Sequence, residues 1–322
     1  MMTQSSITAA QFMDEGLLRR FFMSTSLRPR SVEDYTYSIK TFCAYLAGRG
    51  IDHPTREDIS AYRDSLVVAG KKPSTIHSYI IPLRVFFRWL AREGIYDNIA
   101  DYIKAPGYNA SHRRDALTAN QASTLLNTID RSTLKGLRDY AILTLMVVCG
   151  LRCIEVSRAK VGDFTKRGND AVLYVYGKGR DDSQTEYVRL PLNARKALRA
   201  YLKGRGSAGQ DEPLFACTGN RNPNGPLSTR IISKIVKDAL RSAGYDNDRL
   251  CAHSLRHTAV TLALKRGEPL EAVQKFARHT NISTTLIYSH AIDQEHCTCT
   301  RSIEEAIFGA GKVQQPDMLS MI

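Results

Sequence analysis

The chain has 322 residues, 43% hydrophobic and 24% charged, a composition that supports two folded domains with cores of their own and excludes a disordered or fibrous protein. Its 45 Lys and Arg against 32 Asp and Glu give a formal net charge of +13, with the basic residues scattered through helical segments, so a folded surface facing a polyanion, most simply nucleic acid, is expected. No apolar run is long enough to span a membrane, the N-terminus "MMTQSSITAAQFMDEGLLRRFF" carries acids ahead of its apolar residues unlike a signal peptide, and seven scattered cysteines suit reduced thiols, which together predict a cytoplasmic protein.

The first hundred or so residues read as helices. In "SVEDYTYSIKTFCAYLAGRG", Tyr35, Ile39, Phe42 and Leu46 recur at three- and four-residue steps, and Gly48 and Gly50 supply a stop. A second helix follows Thr55, whose acidic first turn suits the helix dipole. A third, from Lys71, carries Ile76, Tyr79, Leu83, Phe86 and Leu90 on one side, with Pro82 inside it; because the periodicity resumes in register beyond the proline, a kink is expected there and not a break. The polar, basic stretch 105–116 reads as a linker, which sets the domains at 1–108 (helical), 109–116 (linker), 117–310 (second domain) and 311–322 (tail).

Beyond the linker, Thr118 and Gln121 form a capping pattern, and helices are predicted over roughly 136–149 and 152–160. "AVLYVYGKGR" and "TEYVRLP" are rich in β-branched and aromatic residues and read as a β-hairpin within an otherwise helical domain. Helices return from 193 to about 308, broken by a Gly/Asn/Pro loop at 218–226, and the fold class is therefore mainly α with a small β-hairpin or sheet. "HCTC" at 296–299 has no second pair at ligand spacing, so no metal is expected. Tyr288 stands among small polar residues, without the apolar neighbours at helical spacing that a core tyrosine usually has.

Four separated pieces are suggestive together: "CGLRCIEV", "VYGKGR", "HSLRHT" and "HTNISTTLIYSH". Their order and spacing resemble the tyrosine recombinase (phage integrase, Xer-like) family, whose motifs match Gly150, Leu151, Arg152 and Glu155; Gly177, Lys178 and Gly179; His253, Leu255, Arg256, His257 and Thr258; and His279, Thr284, Thr285 and Tyr288. The resemblance covers roughly 116–308, and the helical first domain is similar to the family's core-binding, SAM-like domain. Two departures are visible. Ala277 and Arg278 stand where the family usually has Leu-Gly, and the loop "GKGRDDSQTEYVRLP" is longer and more acidic than usual, leaving Arg180 close enough to compete with Lys178 for its role.

The resemblance implies a site-specific DNA recombinase, an enzyme with Arg152, Lys178, His253, Arg256, His279 and Tyr288 as catalytic residues and no metal or nucleotide cofactor. A phosphodiester repels nucleophiles, so two always-charged guanidiniums suit its non-bridging oxygens. A phenol is only about 0.1% ionised at neutral pH and needs a base, the role given to His253. Lys178 would protonate the departing 5′-oxygen, His279 would donate to the phosphate, and Glu155 would orient the site. The implied partner is double-stranded DNA, bound by a homo-tetramer that forms a Holliday junction and is linked by exchange of a C-terminal helix over 297–312. Two alternatives stay open: a type IB topoisomerase using the same chemistry without assembly, and an accessory DNA-binding protein that kept the fold. The target sequence, and chromosome-dimer resolution against integration of a mobile element, also stay open; the start directly in the helical domain fits simple recombinases, and the two departures lean toward a mobile element.

Overall fold

A computed structural model describes residues 7–104, 115–177, 186–219 and 223–289. The chain divides into two compact units, Met1–Ala110 and Ser111–Ile322.

The first unit is helical throughout. A 3₁₀ turn over Ala9–Met13 leads to α1 (Glu15–Met23), α2 (Pro29–Ala47), α3 (Arg56–Val68) and α4 (Pro73–Arg92). Ile39, Phe42 and Leu46 are buried as their spacing predicts, and Thr55 closes a capping box, its N–H donating to Asp58 at 2.7 Å. In α4 the buried set is wider than one stripe, because Ile80, Phe87 and Trp89 join Ile76, Leu83, Phe86 and Leu90. The helix is the unit's centre. Phe12 packs edge-on against Phe86 and Phe87, and Phe21 against Phe86. α4 runs unbroken through Pro82; the Ser78 carbonyl, which loses its helical donor to the proline, lies 3.4 Å from the Ser38 hydroxyl of α2.

The second unit holds α5 (Ala119–Asn127), α6 (Leu134–Val148), α7 (Cys153–Arg158), strands β1 (Phe164–Arg167), β2 (Asp170–Val175) and β3 (Glu186–Arg189), then α8 (Leu192–Arg205), α9 (Thr229–Ser242), α10 (Ala252–Lys265), α11 (Leu270–Ala277) and α12 (Ser283–Ser289). The predicted hairpin is β2–β3, antiparallel with Leu173 opposite Val188. β1 adds a third antiparallel strand in the order β1-β2-β3 that the sequence reading did not separate, since "FTKR" is short and largely exposed and shows no alternation. α6, buried continuously from Ala141 to Val147, packs against α8 and α10. Thr258 ties the start of the unit to α10: its hydroxyl accepts from the Leu117 N–H and donates to the Ser254 carbonyl, both at 2.8 Å. Among the described residues no helix is long and apolar enough to cross a membrane.

Candidate active site

The Gly-Leu-Arg-x-x-Glu spacing has a local cause. Gly150 leaves α6 with φ +63°, a left-handed turn that glycine takes freely, and a Cβ there would stand 3.2 Å from the Phe276 ring. The turn delivers Arg152 to the residue before α7. There Glu155, three residues on, reaches back to the Arg152 N–H at 2.8 Å while pairing with the Arg152 guanidinium at 2.7 Å. One carboxylate thus caps the helix and holds the arginine.

α10 supplies His253, Arg256 and His257 at helical spacing, but their environments differ. His253 is exposed near the helix start, whereas Arg256 is buried, 1% exposed. Arg256 donates to the Gly150 carbonyl at 2.6 Å and to the Ala277 carbonyl, while its Nε has no hydrogen-bond partner among the described residues.

The end of α11 gathers the charges. Its last carbonyls have no helical donors and carry the negative end of the helix dipole. Arg152 donates to the carbonyls of Ala277 (3.4 Å) and Arg278 (3.0 Å), and Arg256 joins it at Ala277. Arg278 caps the helix in the left-handed conformation, φ +53°, and turns its side chain inward to Glu155, with Nη–Oε2 2.8 Å. Glu155 is wholly buried. Burial alone would push its carboxyl up, but Arg278 and Arg152 outweigh it and hold the pKa below the ordinary carboxylate value. Two guanidiniums therefore share one carboxylate, and a third, that of Arg256, lies close enough to feel its charge. Burial, then repulsion from Arg152 and Arg278, pushes the Arg256 pKa down to about 9, which still leaves it protonated at neutral pH. The excess positive charge suits an anion.

His279 follows at once. Its Nδ1 lies 2.9 Å from the Thr285 hydroxyl, and burial, reinforced by Arg256, Arg152, His253 and Arg278, pushes its pKa down to about 4, so the ring is neutral at pH 7. Tyr288, on α12, is 4% exposed and packs with Val260, Val273 and Ala277. The sequence reading is corrected here: the apolar neighbours it found missing come from α10 and α11, not from the tyrosine's own helix. The rings beside Tyr288 are those of His257, centroids 4.5 Å apart, and His279, 6.1 Å apart. Burial pushes its phenol up, opposed by Arg256 and Arg152.

Of the six candidate residues, Arg152, Arg256, His279 and Tyr288 thus come together, and His253 is near enough to bear on His279. Lys178 and its competitor Arg180 lie outside the described residues, as do "HCTC" and the C-terminal segment from 290. Sequence reasoning gave no role to His257, the ring nearest Tyr288, or to Arg278; the available signal for the latter was an arginine where a helix C-cap favours glycine. No group of three His, Cys, Asp or Glu that could hold a metal occurs among the described residues.

Residues 115–295 match the family model described as the phage integrase family, and residues 15–94 match the phage integrase N-terminal SAM-like domain. The tyrosine recombinase XerC of Alcanivorax borkumensis is 31% identical over 276 residues, 84% of this chain and 86% of that protein. The XerC of Caldanaerobacter subterraneus is 32% identical over 219 residues, 67% of this chain and 59% of that protein. In fold the chain is similar to the XerH site-specific recombinase bound to its palindromic difH substrate, with a TM-score of 0.69, 21% identity, and coverage of 85% of this chain and 80% of that one.

Proposed function

The chain belongs to the phage integrase family of tyrosine recombinases, and we propose that it cuts and rejoins DNA at specific sites through a 3′-phosphotyrosine at Tyr288. The observation that carries this reading is the convergence of Arg152 and Arg256 on the end of α11, beside a tyrosine and a neutral histidine. Arg152 and Arg256 take the non-bridging oxygens of the scissile phosphate, where loss of one such donor costs about 3–4 kcal/mol of barrier. His279 joins them through Nε2–H, the tautomer in which the Thr285 hydroxyl donates to Nδ1.

The Tyr288 oxygen forms the new bond to phosphorus as the bond to the 5′-oxygen breaks. The phenol's proton passes to His253, and the departing oxygen takes one from Lys178. The 5′-hydroxyl of another strand then reverses the step, so neither metal nor nucleotide cofactor enters the balance. Exchange between two duplexes cuts four strands, and one tyrosine per strand implies four protomers around a Holliday junction, linked through C-terminal helices. The two domains expected from the sequence, 1–108 and 117–310 with the linker 109–116 between them, both take part in holding DNA.

The test begins with a fragment library. DNA that stays attached to the wild-type protein after denaturation is recovered and sequenced, which identifies the site. Tyr288→Phe is expected to shift the same fragments in a gel with unchanged affinity and to form no adduct, since only the nucleophilic oxygen is gone. A protease-sensitive adduct from the Phe variant would place the nucleophile elsewhere.

A further inference from the structure

We infer that Arg278 is a positioning residue for strand cleavage: by bridging Glu155 and the Gly150 carbonyl it holds Arg152 and Arg256 as one phosphate clamp. The inference rests on the reading of those two arginines as the clamp. An L-residue with φ +53° at a helix C-cap is strained where glycine is not, so side-chain contacts must hold Arg278 in place. It has them on every guanidinium nitrogen. Nε lies 3.4 Å from Glu155 Oε1, one Nη lies 2.8 Å from Glu155 Oε2 and 2.9 Å from the Gly150 carbonyl, and the other lies 2.9 Å from the Phe276 carbonyl. The residue is 9% exposed. Four hydrogen bonds to the protein occupy these nitrogens, so Arg278 is built to arrange its neighbours.

Those neighbours are the clamp itself. Gly150 offers its carbonyl to Arg256 and Arg278 together. Glu155 is shared oxygen by oxygen: Oε1 accepts from the Arg152 and Arg278 side chains, Oε2 from the Arg152 N–H and the Arg278 side chain. The Arg278 main chain closes the loop by accepting from Arg152 at 3.0 Å. A wholly buried carboxylate seeks as much positive charge as it can reach. Without Arg278, Glu155 would draw Arg152 into a two-pronged pair and away from the substrate.

The experiment uses the full chain and a nicked duplex carrying the site recovered from wild-type adducts. Arg278→Gly takes the φ +53° backbone without strain, and is expected to bind the duplex as wild type does but to form the adduct about 10- to 100-fold more slowly, the size of a small misplacement of a catalytic group. The second arm replaces the scissile phosphodiester with an uncharged methylphosphonate, on which an arginine clamp matters less. The deficit of Arg278→Gly should shrink there in parallel with that of Arg152→Ala. Arg278→Lys keeps the charge but cannot span both acceptors, and should show the same pattern, which covers failure of the glycine variant to fold. Cleavage by either folded variant at the wild-type rate, or a deficit equal on both substrates, would overturn the role. Absence of any adduct from wild type would remove the clamp reading, and this role with it.

Discussion

His279 sits among like charges, and this makes its protonation a liability before DNA arrives. Its pKa, about 4 in the fold against 6.5 for a free side chain, is lowered first by burial and then by Arg256, Arg152, His253 and Arg278. A group whose folded pKa is depressed binds its proton more readily in the unfolded chain, so its stabilising contribution is present above about pH 6.5 and is lost as pH falls toward 4. We therefore expect the urea midpoint of the DNA-free protein to fall between pH 6.5 and pH 5 more steeply in wild type than in His279→Gln. Parallel declines would show that the ring is not held neutral by burial and its charged neighbours. Glu155 acts lower, because its carboxyl lies below the ordinary 4.5 and its contribution is lost only as pH falls through that lowered value. The upper window therefore belongs to histidine.

At the scale of elements, the site depends on how helices end. α6 closes on Gly150 and α11 on Arg278, both with left-handed backbones, and Phe276 from α11 lies against the Gly150 turn. Gly150→Ala is expected to cost on the order of 1–3 kcal/mol, combining φ strain with a Cβ 3.2 Å from the Phe276 ring, and to slow cleavage by moving the carbonyl that orients Arg256. Urea unfolding and adduct formation measure the two effects; an unchanged midpoint would sink the strain account. Such endings also explain what the sequence revealed. The helices with an apolar face, α2 and α4, and the β2–β3 hairpin were legible because local spacing encodes them. The Gly150-to-Glu155 motif was legible through its resemblance to the family pattern, and the structure adds that Glu155 caps the Arg152 N–H. Arg278 was not, since its role depends on Glu155, 123 positions away, and the apolar bed of Tyr288 was hidden for the same reason, lying on α10 and α11. β1 offered no alternation to read.

For the whole molecule, charge and assembly are separable. On the proposed function, the net charge of +13 should drive binding to a half-site through phosphate contacts, a term that depends on salt and not on a second protomer. The proposed pairing of protomers would draw on an apolar contact, and two features make the C-terminal end the candidate. α12 leaves Leu286 and Ile287 more than a third exposed, and Ile303, Ala306, Ile307 and Phe308 follow at close spacing in "CTCTRSIEEAIFGAGK", outside the described residues. Truncation after His296 keeps Tyr288 and α12. It removes two basic and three acidic side chains, raising the net charge from +13 to +14, so binding to a single half-site should persist with an undiminished salt dependence. If 297–312 is the exchanged segment, cooperative occupation of paired half-sites and strand exchange should be lost. Gel-shift titration over a salt series, with a recombination assay on the recovered site, reads both terms in one preparation. Full cooperativity and full recombination by the truncated chain would end the exchange model, whereas an insoluble product would show that 297–312 covers its own protomer.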